Sequence, residues 1–270
     1  MPSGIETIAE AFARSAANGR RAALMPYLMG GFPDLDTSAA IGLAYADAGA
    51  DLVELGVPFS DPLADGPVIH AADTAALAAG ATLPAVLEVA AVIARRVPVV
   101  LMCYANPILV RGVERFVDVA AAAGVSGLIV PDLPLEEAAE MRAACRQRGL
   151  ALVPLVAPTT PVQRLARIGA DASGFVYAVS VTGTTGERSG VDGGLREVIA
   201  RARAHTAVPV AVGFGISTPE QAVAAVTAGA QGVIVGSRLV RAAGEAGDPV
   251  AAVGELIRGF SAALSAPALG

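Results

Sequence analysis

Two acidic residues in one short stretch have the type and spacing for proton transfer. Glu54 lies inside the apolar run DLVELGV (51–57), and Asp65 ends the loop PFSDPLADG that follows. All 19 basic residues are Arg, and none falls within a predicted strand. A buried carboxylate without a cation has a raised pKa and can exchange protons near neutral pH. A structural role for Glu54, or simple turn capping by Asp65, stays the alternative.

Two glycine-rich turns suit a phosphate group. VGFGIS (212–217) and VGS (235–237) follow the seventh and eighth predicted strands, and each precedes a helix signal. Backbone amides at helix N-termini can hold a dianion without any lysine. The alternative is that these glycines only permit tight turns. The loop TGTTGERSG (182–190), which contains Thr185 and Gly186, is either a lid or a surface loop.

Aromatic side chains concentrate near the ends of the predicted strands. Aromatic residues make up only 4% of the chain, yet Tyr27, Tyr104, Tyr177 and Phe214 all fall at such positions. Together they suit a pocket for a flat apolar group, whereas each one alone fits plain core packing equally well.

Composition excludes several classes of function. The absence of lysine removes Schiff-base and P-loop lysine mechanisms. Two histidines and two scattered cysteines argue against a metal site. A net charge of −6 argues against nucleic acid or an anionic membrane as the main partner. Since the chain has neither a signal-peptide pattern nor a long apolar run, we expect a cytoplasmic protein.

The elements that must position these residues alternate between strands and helices. Short β-branched runs follow stretches that end in Gly, such as Gly49, Gly124 and Gly169, which predicts repeated helix-to-strand turns and a parallel sheet. The predicted strands are 22–28, 51–57, 97–104, 127–131, 151–156, 174–179, 208–213 and 232–235. The predicted helices between them include 37–47, 83–95, 113–123, 136–148, 195–204 and 219–228.

This pattern predicts an α/β fold, a single (β/α)8 TIM barrel that occupies residues 1–270 as one domain. An extra N-terminal helix over 5–15 is expected to close the lower end of the barrel. The alternative is an open doubly wound sheet, but the first strand ends in MGGFPD, which does not match the glycine pattern of that fold.

The stretch VELGVPFSDPLADG (53–66) resembles the signature segment of the tryptophan synthase α-subunit family. The resemblance extends over nearly the whole chain. Its other segments are PYLMGGFPD from Pro26, YANP from Tyr104, VPDLPLEE from Val130, VAPTTP from Val156, GFVYAVSVTGTTG from Gly174, VGFGIS from Val212 and VIVGS from Val233.

The resemblance implies a barrel that cleaves indole-3-glycerol phosphate to indole and glyceraldehyde 3-phosphate. Glu54 then looks like the proton shuttle at the indole ring carbon, and Asp65 like the group that hydrogen-bonds the ring nitrogen. Tyr177 looks like the active-site tyrosine beside Glu54. The family also implies a lyase without a cofactor of its own, which joins a pyridoxal-phosphate β subunit in an α2β2 heterotetramer.

The remaining site residues follow from the same resemblance. The phosphate site matches Gly186, Gly213, Gly215, Gly236 and Ser237. The indole pocket matches Tyr27, Ile129, Phe214 and the lid residue Thr185. The loop that meets the β subunit matches Pro58 and Asp61. Met29 and Phe32 depart from the residues that many members carry at these positions.

Three other functions compete with this interpretation. A stand-alone indole-glycerol-phosphate lyase would use the same site without a partner. Another phosphate-binding barrel, such as an isomerase or epimerase, often needs a lysine or a metal, and the chain has no lysine. A non-catalytic barrel that only activates a partner would have no need to keep Glu54, Asp65 and Tyr177 together.

Overall fold

The computed structural model describes residues 2–179, 193–213 and 215–265. Nine short strands form one parallel sheet in the order β5-β4-β3-β2-β1-β9-β8-β7-β6. The strands are β1 (Ala23–Met29), β2 (Val53–Gly56), β3 (Val99–Met102), β4 (Val125–Ile129), β5 (Ala151–Val153), β6 (Leu155–Val156), β7 (Val176–Val179), β8 (Val210–Gly213) and β9 (Gly232–Val235).

The sheet closes into a barrel through an interrupted strand. Only Pro154 separates β5, which pairs with β4, from β6, which pairs with β7. Proline has no N–H to donate to a ladder. Its carbonyl still accepts a hydrogen bond from the backbone N–H of Tyr177 at 2.9 Å. The two ends of the sheet are therefore halves of one strand, and the predicted eight-stranded barrel is confirmed.

Helices surround the barrel and link its strands. Within the described residues they are α1 (Gly4–Ala17), α2 (Leu35–Asp47), α3 (Pro67–Ala78), α4 (Leu83–Ile93), α5 (Ala105–Leu109), α6 (Val113–Ala122), α7 (Ala139–Arg148), α8 (Val162–Asp171), α9 (Gly193–Arg203), α10 (Pro219–Thr227), α11 (Ser237–Glu245) and α12 (Pro249–Ser265). None of these helices is by itself long and apolar enough to cross a membrane; α3 and α4 reach that size only as a pair bent by 111°.

One predicted helix end is wrong. The sequence pattern indicates that Gly169 ends a helix, but α8 continues to Asp171. A Cβ atom at Gly169 would lie 1.9 Å from the backbone oxygen of His205. Glycine is needed at this position because two backbone segments approach closely. By contrast, Gly49 and Gly124 have the positive φ angles that are expected at helix ends.

Strand alternation divides the apolar side chains between two layers. In β1, Leu24 and Leu28 belong to the cluster between the sheet and the helices, whereas Ala23 and Met25 belong to the cluster inside the barrel. The helix α1 adds Ile8, which is fully buried, to the inner cluster. The N-terminal helix therefore closes one end of the barrel, as predicted.

We expect Ile8→Ala to lower the free energy of unfolding by about 2–5 kcal/mol, because it leaves a cavity in the inner core. Urea denaturation measures this change. Glu10→Ala on the exposed side of the same helix is the control and should shift stability by about 0.5 kcal/mol or less. Equal effects of the two substitutions would contradict the role given to α1.

Candidate active site

Glu54 lies in the middle of β2, opposite Tyr27 of β1 and Val100 of β3. Its neighbours Val53 and Leu55 belong to the cluster between the sheet and the helices. Because side chains alternate along a strand, Glu54 points into the barrel. The side chain is 4% exposed, and its Oε2 atom has no hydrogen-bond partner among the described residues. Burial, followed by the charge of Asp65, raises the pKa of Glu54 to about 8. The predicted raised pKa is confirmed.

Asp65 lies at the end of the loop between β2 and α3. The hydroxyl of Tyr104 donates a hydrogen bond to its Oδ2 atom at 2.9 Å and accepts one from the backbone N–H of Ala64 at 3.0 Å. Burial raises the pKa of Asp65, while the Tyr104 hydrogen bond and the charge of His70 oppose that rise. Tyr104 thus holds Asp65 in place, and its hydrogen bond partly offsets the effect of burial on the pKa of Asp65, which favours the charged carboxylate.

Two buried tyrosines accompany these carboxylates. Burial raises the pKa of both Tyr27 and Tyr177 well above the ordinary value, and the charges of Glu54 and Asp65 raise both further. Both hydroxyls lie beside a glycine at a strand end. A Cβ atom on Gly56 or Gly213 would be 2.1 Å from the Tyr27 or Tyr177 oxygen, respectively. These two glycines therefore make room for neutral tyrosine hydroxyls in the barrel mouth.

Asp73 of α3 is a third buried carboxylate, which is absent from the predicted site. It is 1% exposed, and its Oδ1 atom accepts a hydrogen bond from the backbone N–H of Phe59 at 3.1 Å. Burial raises its pKa to about 7; the Phe59 bond lowers it, and the charge of Asp65 raises it. The spacing of Ile69, Ala72 and Ala76 becomes a signal only once α3 is known to be a helix, because these residues then form a buried stripe that includes Asp73.

The predicted phosphate residues lie at the ends of neighbouring strands. Gly213 ends β8, and Gly215 follows it with a φ of +86°. Gly236 precedes the first residue of α11, Ser237, directly after β9. Since β8 and β9 pair, the two turns come together, and the start of α11 presents backbone amides there. Their role in phosphate binding stays a prediction.

The other predicted residues are distributed as follows. Ile129 ends β4 and is buried in the inner core. Pro58 is buried, whereas Asp61 is exposed and lies near Leu63, which is 82% exposed. The contacts predicted for them with a partner stay a prediction. Three predicted residues lie outside the described part of the chain: Thr185, Gly186 and Phe214.

This arrangement suits acid–base chemistry. Glu54 is protonated at neutral pH and can donate a proton, while Asp65 can stabilise a positive charge or accept a hydrogen bond. The described residues contain no group of three or more His, Cys, Asp or Glu that could hold a metal ion. The chemistry that these residues can supply is proton transfer between a buried acid and a substrate.

The chain is similar to one family over most of its length. The family model for the tryptophan synthase alpha chain matches residues 12–258. The tryptophan synthase alpha chain of Prochlorococcus marinus is 52% identical over 237 residues, which is 87% of this chain and 86% of that protein. That of Roseiflexus castenholzii is 50% identical over 256 residues, 93% and 97% of the two chains.

Solved structures give the same result. A chain of Mycobacterium tuberculosis tryptophan synthase superposes with a TM-score of 0.90 at 38% identity, covering 99% of this chain and all of that one. A chain of the tryptophan synthase α2β2 complex from Pyrococcus furiosus superposes with a TM-score of 0.83 at 39% identity. The match covers 88% of this chain and 97% of that one.

We expect the free energy of unfolding to fall as the pH rises from about 4.5 to about 8. The folded state keeps a proton on Glu54 in this window, whereas the unfolded chain releases it. Glu54→Gln carries no charge at any pH. Its stability relative to the wild type should therefore increase across this window, by up to about 1.4 kcal/mol per pH unit.

Urea denaturation at several pH values measures this difference. Glu88→Gln, on the exposed side of α4, is the control and should follow the wild-type curve. If the Glu54→Gln and wild-type curves stay parallel between pH 5 and pH 8, the carboxyl of Glu54 is ionised in the folded protein.

Proposed function

The chain belongs to the tryptophan synthase alpha chain family, and from this membership we propose how its residues perform the reaction. It is a lyase of tryptophan biosynthesis that cleaves indole-3-glycerol phosphate to indole and glyceraldehyde 3-phosphate. One observation carries the assignment of roles: Glu54 is buried inside the barrel, and its Oε2 atom has no hydrogen-bond partner among the described residues.

The first step is proton transfer to the ring. Glu54 donates its proton to the indole carbon that bears the glycerol chain, which leaves a cation delocalised onto the ring nitrogen. Asp65 accepts a hydrogen bond from that N–H and stabilises the positive charge. The protonated ring is now an electron sink, so the reaction needs neither a lysine imine nor a metal.

The second step breaks the carbon–carbon bond. The Glu54 carboxylate takes the proton of the adjacent glycerol hydroxyl, whose oxygen becomes the aldehyde oxygen. The bonding electron pair returns to the ring and restores indole. Glu54 ends the cycle protonated, as it began, and all atoms and charges balance. Tyr177 is buried, and the charge of Glu54 adds to the rise of its pKa, which supports its assignment as the neutral tyrosine beside this carboxyl.

Substrate binding uses the turns and side chains at the barrel mouth. We assign the phosphate to Gly186, Gly213, Gly215, Gly236 and Ser237. The indole ring is assigned to the pocket of Tyr27, Ile129, Phe214 and Thr185. The juxtaposed ends of β8 and β9 and the buried position of Tyr27 support this assignment. Binding of the remote phosphate orients the reacting carbon against Glu54.

The family relationship also supports a partner. The solved relatives include tryptophan synthase α2β2 complexes, and we propose that this chain joins a β subunit in the same way. Its loop with Pro58 and Asp61 would contact that subunit, and the exposed Leu63 supports an interface there. Pyridoxal phosphate would belong to the β subunit alone. We place the complex in the cytoplasm, with residues 1–270 as one domain.

We expect Glu54→Gln to lower kcat for indole release by at least about 100-fold, because the amide can neither give nor take the proton. KM should change little, since the substituted group has the same size. Asp65→Asn should also lower kcat, through weaker stabilisation of the ring cation. Since substrate and product both carry the indole ring, the reaction is followed through its other product, glyceraldehyde 3-phosphate, by its oxidation with a coupled NAD-dependent dehydrogenase.

Glu88→Gln is the control and should keep wild-type kcat. Glu54→Gln should still activate a β subunit, because Glu54 is buried away from the surface. Full lyase activity of Glu54→Gln would refute the assigned proton shuttle. A chain that releases no indole but activates a β subunit would instead be the non-catalytic barrel.

We expect addition of a β subunit to increase indole release by the purified chain at least about tenfold, which is typical of a coupling free energy of 1–3 kcal/mol. Leu63→Asp should weaken this activation and leave release by the free chain unchanged. Steady-state assays with increasing β subunit measure both effects. Fast release that is independent of the β subunit would identify a stand-alone lyase.

A further inference from the structure

We propose that Asp73 is a positioning residue, which holds Asp65 in its catalytic place by anchoring the loop of residues 57–66 to α3. The inference rests on the proposed function, since it concerns the placement of a group assigned to the reaction. It adds a residue that belongs neither to the signature motif nor to the site residues implied by the family.

The anchor begins at the buried side of α3. Asp73 Oδ1 accepts the backbone N–H of Phe59 at 3.1 Å, across 14 residues of chain. The ring of Phe59 stacks on that of Tyr104, with centroids 5.2 Å apart and an interplanar angle of 28°. The hydroxyl of Tyr104 then donates to Asp65 at 2.9 Å. A continuous set of contacts therefore connects Asp73 to Asp65.

The loop needs such an anchor because its tip is solvated. Ser60, Asp61 and Leu63 are all exposed, so the tip has little apolar contact to fix it. By contrast, α3 is firmly held. Its residues Ile69, Ala72 and Ala76 lie in one buried cluster together with Tyr27 and Met29 of β1 and Val240 of α11. A hydrogen bond from the loop to α3 thus ties it to a rigid support.

The chemistry of Asp73 is costly for a purely structural residue. A carboxyl group at 1% exposure has lost its hydration, and its Oδ2 atom has no hydrogen-bond partner among the described residues. Among the described residues, the ionisable groups whose charges interact with Asp73 are Asp65, Tyr27 and Tyr104, and none of them can be a cation. The contribution of Asp73 is one hydrogen-bond acceptor, its Oδ1 atom, which binds the backbone N–H of Phe59.

An amide and an apolar substitution at Asp73 should have different effects. The oxygen of Asp73→Asn still accepts the Phe59 N–H, so kcat should stay within about threefold of wild type. Asp73→Ala removes the acceptor, and kcat should fall roughly 10- to 100-fold as Asp65 moves out of place. KM should change less than kcat, because Asp65 acts in the transition state. The exposed Asp36→Ala on α2 is the control.

A double-mutant cycle tests the connection itself. Tyr104→Phe removes the hydroxyl that holds Asp65 but leaves the ring. If Asp73 acts through Tyr104, then Asp73→Ala combined with Tyr104→Phe should lose much less than the product of the two single losses. Independent, multiplicative losses would overturn the proposal. So would equal kcat values of the Ala and Asn variants, or a loss explained by the unfolded fraction.

Hydrogen exchange separates failure of this proposal from failure of the proposed function. If the wild-type chain releases no indole with or without a β subunit, the function fails. The role of Asp73 as an anchor is then tested by the exchange rate of the Phe59 backbone amide. This rate should be at least tenfold higher in Asp73→Ala than in Asp73→Asn. Equal exchange in the two variants would refute the anchor whatever the chain catalyses.

Discussion

A carboxyl group buried inside a closed barrel, with no cation paired to it among the described residues, is the constraint on which the site depends. The inward direction of Glu54 follows from strand alternation, and its burial keeps it protonated at neutral pH. The same environment keeps Tyr27 and Tyr177 neutral, because an ionised phenol there would face both burial and nearby carboxylates. One electrostatic condition therefore sets the protonation state of several groups at once.

The sequence is sufficient to predict the parts of this structure that depend on local pattern. The alternation around Glu54 places it on the inner face, and the repeated helix-to-strand turns predict the barrel. Gly49 and Gly124 adopt the expected positive φ angles. Gly169 does not, because its role is set by the backbone of His205, 36 residues away in the chain. A glycine that permits close approach looks in the sequence like one that ends a helix.

The contacts that complete the site could not be predicted for a similar reason. The sequence identifies Tyr104 only as an aromatic near a strand end, whereas its hydroxyl joins Asp65 across 39 residues of chain. Asp73 escapes prediction because α3 is not among the predicted helices, so its place on a buried stripe is not evident. The family resemblance assigns Gly213 to the phosphate site. The structure adds a second reason for a glycine at this position, because any side chain would collide with the Tyr177 hydroxyl.

The two ends of the barrel divide stability and chemistry between them. At the end closed by α1, Ile8, Phe12 and Phe175 form an apolar core that gains stability from burial. At the other end, burial raises the pKa values of Glu54, Asp65 and Asp73, so their charged forms cost stability. A barrel tolerates this cost because its closed sheet fixes both ends together. The apolar end stabilises the barrel. The barrel in turn holds the carboxyl groups in buried positions, away from the water that would otherwise solvate them.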